Sequence, residues 1–365
     1  MISLNVLTSI GHVAVQRRYM ACSACKGKRI AWDDWAGVDH RHMSPEARRM
    51  LSLAGMSWPF DTASRRLKEL CHIDVSDDTI ERVCQEEGER ARRWTAESEV
   101  PAQGFTRANG QAEFYTDGVK INTVDGWREM RLSVLAKRPA ALPATPRQWK
   151  DRVLEEPTAR MAICAIAPAH VVGSSWKRLA DRLGLAASDA LAKGSPSLSV
   201  IADGAKWIWI EAAKRFGPDT QWMVDVFHVS EHIHACGKAM LGEGASARQW
   251  AEAQLERLIE IEGPRFIEEL ASQIAGAKES TVRQALEKLW SYLNENRDSL
   301  WYATRLAAGL PIGSGLIEGA CKNTIGARLK INSARWRVRR AERMGALRCL
   351  EYSGQWEAFW QKHAA

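Results

Sequence analysis

Two strand-like runs on either side of a tight turn constrain the fold of this chain more than any other feature. The run AEFYTDGVKINTV begins at Ala112, and WREMRLSVLAKR begins at Trp127, after the pair Asp125-Gly126. Both runs alternate β-branched and aromatic residues with polar ones, and Asp-Gly is a preferred hairpin turn. The pattern predicts a β-hairpin, so this part of the chain belongs to a sheet.

Further strands and helices follow the hairpin in an alternating order. After a Pro/Ala-rich stretch from Pro139 to Pro146, RMAICAIAP predicts a third strand and SSWKRLADRLGL a helix. Two strand-to-helix segments come next, SLSVIADGAKWIWIEAAKRF and TQWMVDVFHVSEHI. Three adjacent strands followed by alternating strands and helices indicate an α/β sheet that is part antiparallel and part parallel. The RNase H-like fold has this order.

Acidic residues fall at informative points of the predicted sheet. Asp117 lies within the first strand, and Asp203 lies where the apolar run before it ends and Gly204 begins a turn. Ligand-binding groups of open α/β sheets gather at the carboxyl ends of parallel strands. Each acid alone is better explained as a turn former or a helix cap, and only the set of acids favours a catalytic role.

A helical stretch separates the sheet from the most basic part of the chain. Residues from about 236 to 310 carry apolar side chains at three- and four-residue intervals. A further helix is predicted to begin near Gly315 and to carry Glu318. The basic segment, from Lys322 to Arg348, has nine basic residues and one acid, a charge of +8, whereas the whole chain carries +7. Such a concentration of positive charge predicts that this segment binds a polyanion.

Four motifs together point to a known family. They are YTDGVKI with Asp117, VIADGAKWIW with Asp203, WMVDVFHVSEHI with Asp225 and His228, and PIGSGLIEGACKNTIGARLK with Glu318. This set resembles the DDE transposases of bacterial insertion sequences, most closely the Kra-type branch, which is distantly related to the Mutator-like transposases. The resemblance covers about residues 8 to 350. It implies an RNase H-like catalytic core that is interrupted by an all-helical insertion.

The resemblance also implies that Asp117, Asp203 and Glu318 bind catalytic metal ions. Three carboxylates supply the hard oxygen ligands that suit Mg²⁺ or Mn²⁺, and they leave positions open for phosphate oxygens and water. Two such ions can activate the attacking oxygen and stabilise the leaving oxygen. Hydrolysis at the transposon end would free a 3′ hydroxyl that attacks target DNA in the same site. His228 would contact the scissile phosphate, orient a carboxylate, or only support the strand end.

The basic residues that follow Glu318 are expected to contact DNA phosphates. The predicted set is Lys322, Arg328, Lys330, Arg335, Arg337, Arg339 and Arg340. The alternative for such a run of charge is a solvated cationic helix. The expected partners are double-stranded DNA, both transposon ends and target, and further copies of this chain, because pairing two ends requires a dimer or a larger assembly.

A small cysteine-containing region begins the chain. Residues 1 to about 44 contain a strand-like run from His12 to Tyr19, followed by Cys22 and Cys25 as a Cys-x-x-Cys pair. This pair is half of a zinc ribbon, which needs four ligands held tetrahedrally. Because His40 and His42 match no specific completion, both Zn²⁺ binding by the two cysteines and a metal-free knuckle stay open.

Residues 45 to about 100 are predicted to be helical with a helix-turn-helix outline. Ser44-Pro45-Glu46 places an N-cap, a proline at the first helical position and an early acid in the right order. Two amphipathic segments follow, joined by a short connection before Asp77, with Ser76 as the cap of the second. This outline fits a DNA-reading module, and it fits equally a small helical bundle without a ligand.

Composition sets the outer limits of these predictions. No apolar run approaches the ~20 residues that a membrane helix needs. The N-terminus lacks the features of a signal peptide, so the eight cysteines are expected to be reduced and the protein to be cytoplasmic, associated with a bacterial nucleoid. In sum, the prediction is two small N-terminal regions, a core over 105–235, an insertion over 236–310 and a return to the core over 311–365.

Two other functions fit the same residues. One is a non-catalytic DNA-binding protein derived from a transposase, and the other is a structure-specific nuclease on the RNase H-like fold. The three intact acids argue against decay of the site, and inverted repeats flanking the coding sequence would favour transposition.

Overall fold

The computed structural model describes residues 1–185, 198–216 and 220–361, and these form a mixed α/β protein. The strands are β1 (Ile2–Thr8), β2 (Gly11–Arg17), β3 (Met20–Ala21), β4 (Lys28–Arg29), β5 (Gln111–Thr123), β6 (Gly126–Arg138), β7 (Ala159–Ala165), β8 (Ser199–Ala202) and β9 (Gln221–Val224).

Helices make up most of the remaining regular structure. They are α1 (Ala31–Trp35), α2 (Pro45–Ser57), α3 (Phe60–Cys71), α4 (Asp77–Glu97), α5 (Glu99–Arg107), α6 (Ala169–Arg182), α7 (Lys206–Ala213), α8 (Val226–Leu241), α9 (Ala245–Gly276), α10 (Ser280–Glu295), α11 (Tyr302–Ala307), α12 (Gly315–Ala320), α13 (Ala327–Leu329), α14 (Val338–Tyr352) and α15 (Trp356–Gln361). A π-helical turn, Cys321–Gly326, joins α12 to α13. None of the helices in the described part of the chain is both long and apolar enough to cross a membrane.

Five strands form the central sheet in the order β7-β6-β5-β8-β9. β5, β6 and β7 are antiparallel, whereas β8 and β9 run parallel to β5. The predicted hairpin, third strand and two strand-to-helix segments are therefore confirmed. The hairpin turn is displaced by one residue, because Thr123 pairs with Gly126 and the two linking residues are Val124 and Asp125.

Helices cover both faces of the central sheet. On one face, Phe114 of β5 packs with Trp176 of α6 and with Phe216, which follows α7. On the other face, Tyr115 of β5 belongs to the larger core that includes α8, α12 and α14. The alternation along β5 explains this division, since successive side chains of a strand point to opposite faces.

The N-terminal helices share this larger core with the C-terminal helix. Ser44 caps α2 by accepting from the Ala47 N–H, and Ser76 caps α4 by accepting from the Thr79 N–H, so both predicted caps are confirmed. α4 then packs along α14 so closely that a Cβ at Gly88 would lie 2.3 Å from the Arg343 carbonyl oxygen. The helix-turn-helix outline of α3 and α4 is thus joined to the core.

After β9 the chain makes a helical excursion, residues 226–312, before it returns to the sheet with α12. The regular structure of 236–310, all of which the structure describes, is helical as predicted. α9 kinks at Glu262, whose φ is +69°. The Glu262 carboxylate accepts hydrogen bonds from the backbone N–H groups of Ala303 and Thr304. These groups lie at the start of α11, where they have no acceptor within the helix.

Candidate active site

Three aspartates reach the same level on neighbouring parallel strands. Tyr115 of β5 lies beside Ile201 of β8, and Ala202 of β8 lies beside Val224 of β9. Asp117 and Asp203 each come two residues after the first pair, and Asp225 directly follows β9. Because adjacent strands lie ~4.8 Å apart, these side chains meet at one edge of the sheet.

Asp225 connects this edge of the sheet to α12, the helix that carries Glu318. Its Oδ2 accepts a hydrogen bond from Ser314 Oγ at 2.6 Å, and its Oδ1 accepts from the Phe227 N–H at the start of α8. The Val226 N–H donates to the Ile312 carbonyl at 3.0 Å. The chain segment before α12 is therefore fixed to the end of β9, and the predicted helix start at Gly315 is confirmed.

The electrostatics of Asp117 show that the acids are close together. Burial raises the pKa of the Asp117 carboxyl, and the carboxylates of Asp203, Glu129 and Glu318 raise it further. A 2.6 Å hydrogen bond from the Gly118 N–H acts in the opposite direction. Asp203 and Glu318 therefore lie within range of the Asp117 charge, and we call these three residues the acid edge; in the described residues they are not arranged to hold one metal ion. None of the three forms an ion pair with a described residue.

Two neighbours of Asp117 were missed by the sequence analysis. Glu129 of β6 lies across the bare backbone of Gly118, where a Cβ would be 2.5 Å from the Glu129 Oε1. The other neighbour is Cys321, whose pKa is raised to about 12 by burial together with the Asp117 charge. The hairpin register could have revealed Glu129, whereas the position of Cys321 depends on how α12 packs.

Tyr292 of α10 is the contribution of the helical excursion to the acid edge. A Cβ at Gly204, next to Asp203, would lie 3.4 Å from the Tyr292 hydroxyl. This hydroxyl is buried and has no hydrogen-bond partner among the described residues. Burial raises the pKa of Tyr292, as do the charges of Asp203 and Asp225. No motif in the sequence pointed to this residue.

His228 lies in a group of three rings with His232 and Tyr292. The His232 ring stacks on Tyr292 with centroids 3.6 Å apart, and His228 meets His232 edge-on at 5.2 Å. His228 Nδ1 lies 3.5 Å from the Glu231 carboxylate. Burial lowers the pKa of His232, and so does the neighbouring His228. His228 also meets the Tyr292 ring directly, with centroids 6.3 Å apart, so Tyr292 lies between His228 and the Gly204 backbone next to Asp203.

Cys22 and Cys25 form an exposed knuckle in the turn between β3 and β4. The Cys25 N–H donates to the Cys22 sulfur at 3.5 Å, and the Gly27 N–H donates to the Cys25 sulfur at 3.4 Å. The hydrogen bond from the Cys25 N–H lowers the pKa of Cys22. Within the described ranges, no three or more His, Cys, Asp or Glu side chains are arranged to hold one metal ion.

The basic segment divides into buried and exposed cations. Arg328 is only 3% exposed, its Nε donates to the Gly55 carbonyl at 2.8 Å, and its guanidinium lies over the rings of Phe60 and Trp336. Burial lowers the pKa of Arg328 to about 10. This corrects the sequence prediction for Arg328, because a side chain enclosed in this way is not available to a DNA phosphate.

The other members of the predicted phosphate-binding set lie at the surface. Arg340 is exposed but pairs with Glu81 of α4. Five cations are exposed and form no ion pair with a described residue: Lys322, Lys330, Arg335, Arg337 and Arg339. Trp336 exchanges backbone hydrogen bonds with Asn122 and Val124, so this part of the basic segment lies beside the tip of the β5–β6 hairpin.

Comparison with known proteins does not assign the chain to a family. No protein-family model matches it, and no curated protein matches it significantly.

Proposed function

We propose that the protein is a DDE transposase, which cuts DNA at transposon ends and joins the freed ends to target DNA. The observation that carries the proposal is the acid edge. Asp117 and Asp203 stand level on adjacent strands, and Glu318 is brought back from a distant part of the sequence to act on the same carboxyl. Acids gathered at the carboxyl ends of parallel strands, one of them with a perturbed pKa, are typical of catalytic sites.

The proposed fold is an RNase H-like core with an all-helical insertion. It is supported by three antiparallel strands followed by two parallel ones, in the order β7-β6-β5-β8-β9. The helical excursion lies between Asp225 and the helix that carries Glu318, as the resemblance implies for an insertion. Its two ends meet in the hydrogen bond between Asp225 and Ser314.

The donor chemistry of the acid edge fits Mg²⁺ or Mn²⁺. Asp117, Asp203 and Glu318 would hold the ions, since carboxylate oxygens are the ligands that these hard cations prefer. Like-charged carboxylates repel one another, as the raised pKa of Asp117 indicates, and a divalent cation offsets that repulsion. When bound, such ions supply activation of the attacking oxygen and stabilisation of the leaving oxygen.

The chain's own residues have three tasks in this proposal. Asp225 holds Ser314, and through it fixes the position of Glu318. Tyr292 places its buried hydroxyl, which has no partner in the described structure, beside Gly204, and so closes the side of the acid edge next to Asp203. The five unpaired cations of the basic segment would bind phosphates of the duplex.

The wider setting of the reaction is part of the proposal. Two transposon ends and the target are double-stranded DNA, and pairing the ends would require further copies of this chain. The expected location is the bacterial cytoplasm, at the nucleoid. Zn²⁺ at Cys22 and Cys25 stays a prediction, supported by the backbone hydrogen bonds to both sulfurs.

A strand-transfer assay with Mn²⁺ tests the chemistry. The substrate is a linear duplex that ends in the inverted repeats flanking the coding sequence, and a supercoiled plasmid is the target. Asp203→Asn should abolish both cleavage and joining, because it removes a charged oxygen ligand and retains the size of the side chain. Asp298→Asn changes an exposed aspartate outside the acid edge and should leave both steps intact.

The outcomes separate the proposed function from its rivals. Equal activity of the wild type and Asp203→Asn would exclude the acid edge as the site of chemistry. Cleavage of branched DNA without any joined product would instead identify a structure-specific nuclease. DNA binding without cleavage by the wild type would identify a non-catalytic DNA-binding protein.

A further inference from the structure

A cationic cavity lies on the other side of α12 from Glu318. Its volume is about 800 Å³, within the range of ~300–1,000 Å³ that small-molecule sites occupy. Leu316 and Ala320 line it, and the helical period places Glu318 on the opposite side of α12 from them. The cavity is therefore separate from the acid edge, although the same short helix borders both.

The outer wall of this cavity is the connection between β6 and β7. This connection, residues 139–158, contains the Pro/Ala-rich stretch and is held against the helical excursion by backbone hydrogen bonds from Ala141 to Gly309 and from Ala144 to Leu306. Gly309 permits this approach, because it has a φ of +71° and a Cβ there would lie 2.0 Å from the Ala141 oxygen. A long irregular connection fixed in this way has a defined shape.

The charges around the cavity favour an anion. Its lining contains four cations and one carboxylate: Arg138, Lys150, Arg152, Arg160 and Glu156. Arg138 pairs with the buried Glu113, and Arg160 pairs with Glu156. Lys150 and Arg152 form no ion pair with any described residue.

Arg152 is the most informative of these cations. Its Nη2 donates to the Leu310 carbonyl, while its buried Nη1 has no partner in the described part of the structure. Burial and the neighbouring Arg138 lower the pKa of Arg152. Arg152, with an unused donor and a like-charged neighbour among the lining residues, would be stabilised by a phosphate, which accepts several charge-assisted hydrogen bonds.

An aromatic pair forms another part of the cavity wall. Trp149 and Phe227 lie with their ring centroids 5.8 Å apart, and Lys150 Nζ lies 5.6 Å from the Trp149 ring centroid. Phe227 is 56% exposed, so its ring is accessible to a ligand. An aromatic face next to a cation suits a base and its phosphate, because every base can stack on such a face.

We infer that this cavity binds a nucleoside phosphate, namely one unpaired nucleotide of a DNA strand, with its phosphate on Lys150 and Arg152 and its base against Phe227 and Trp149. The inference goes beyond the proposed function, because it requires binding only and would also hold for a protein that does not cleave DNA. It gives the Pro/Ala-rich connection a role, that of the cavity wall.

Equilibrium binding of a labelled single-stranded oligonucleotide to the full chain tests the inference. Phe227→Ala should weaken binding about 10-fold without changing the salt dependence, since it removes stacking alone. Lys150→Glu should weaken binding by a similar factor. It should also make the fall of log K with log salt shallower by about 0.7, the value expected for the loss of one phosphate contact. Lys278→Glu makes the same charge change at an exposed site between α9 and α10, and should have no effect.

A second titration, with thymidine 5′-monophosphate, identifies the source of the nucleotide. Oligonucleotide binding that is weakened by both variants supports a strand nucleotide. If both variants reduce only the binding of the monophosphate, the cavity takes a free nucleotide, and the inferred chemistry stands with a different source. If both variants, shown by thermal melting to be folded, bind the two ligands like the wild type and Lys278→Glu, the inference is overturned.

Discussion

The acid edge and the basic segment differ in whether their charged side chains have partners inside the protein. At the acid edge, Asp117 and its neighbours bring like charges together without an ion pair in the described structure, which costs stability. In the basic segment, Arg328, Arg340 and Arg343 place their charges on internal partners. The net charge of +8 therefore overstates the number of cations in the segment that are available to bind DNA. The three carboxylates of the acid edge, in contrast, have no ion-pair partner in the described structure.

The largest expected effect comes from breaking the acid edge. Glu318→Gln retains the shape of an exposed side chain and removes one of the three carboxylates, so cleavage should fall by on the order of 100-fold or more. DNA affinity should be unchanged, because the basic segment is intact. Cleavage of an end-labelled duplex and gel-shift titration measure the two properties separately. A parallel loss of binding would contradict the division of labour between the two regions.

Arg328 is the sharpest test of the buried part of the basic segment. Arg328→Ala should lower the free energy of unfolding by about 2–4 kcal/mol, because it leaves a cavity between Phe60 and Trp336 and an unpaired Gly55 carbonyl. Arg335→Ala, at an exposed position, should change the same quantity by less than about 0.5 kcal/mol. Urea denaturation followed by circular dichroism compares them. Equal stability of both variants would show that Arg328 is not a structural residue.

The exposed part of the segment should respond in DNA binding alone. Changing Arg335, Arg337 and Arg339 together to Gln should weaken duplex binding and lower the salt slope by about 0.9 for each lost phosphate contact. Arg340→Gln should have a smaller effect than Arg339→Gln, since Arg340 already pairs with Glu81. Fluorescence anisotropy over a range of salt concentrations measures the slope. An unchanged slope in the triple variant would place the DNA elsewhere.

The smallest expected effect concerns the stability of the acid edge itself. A carboxyl whose pKa is raised by folding favours the protonated state, so its stabilising contribution is present at low pH and is lost as the pH rises through the folded-state pKa. In metal-free buffer at pH 7, Asp117→Asn should therefore melt at a higher temperature than the wild type. The difference should vanish below about pH 3.9, the ordinary pKa of aspartate. Melting curves across this pH range test it, and a constant difference would contradict it.

Local sequence patterns were sufficient to predict much of the fold. The alternation around Asp125-Gly126 predicted the hairpin, and the caps Ser44 and Ser76 predicted where α2 and α4 begin. The helix start at Gly315 was predicted in the same way. These features depend on near neighbours in the chain, and for that reason a single sequence contains them.

Contacts between distant parts of the chain could not be predicted in this way. Arg328 is enclosed by Phe60 from the N-terminal helices, and Tyr292 reaches Gly204 from the helical excursion. Charge and composition are the same whether such a side chain is buried or exposed. Its burial therefore depends on how the helices pack, here α4 against α14 and α10 against the sheet. The acids were found as a set by resemblance, and their proximity required the structure.

The hydrogen bonds from Ser314 to Asp225 and from Val226 to Ile312 close the helical excursion at its root. The excursion leaves and rejoins the sheet at one point, much as a stem-loop leaves and rejoins a nucleic-acid duplex. The position of Glu318 relative to Asp225 therefore depends on these two short hydrogen-bonded contacts, and the many residues of the excursion between them do not set it through the chain path alone.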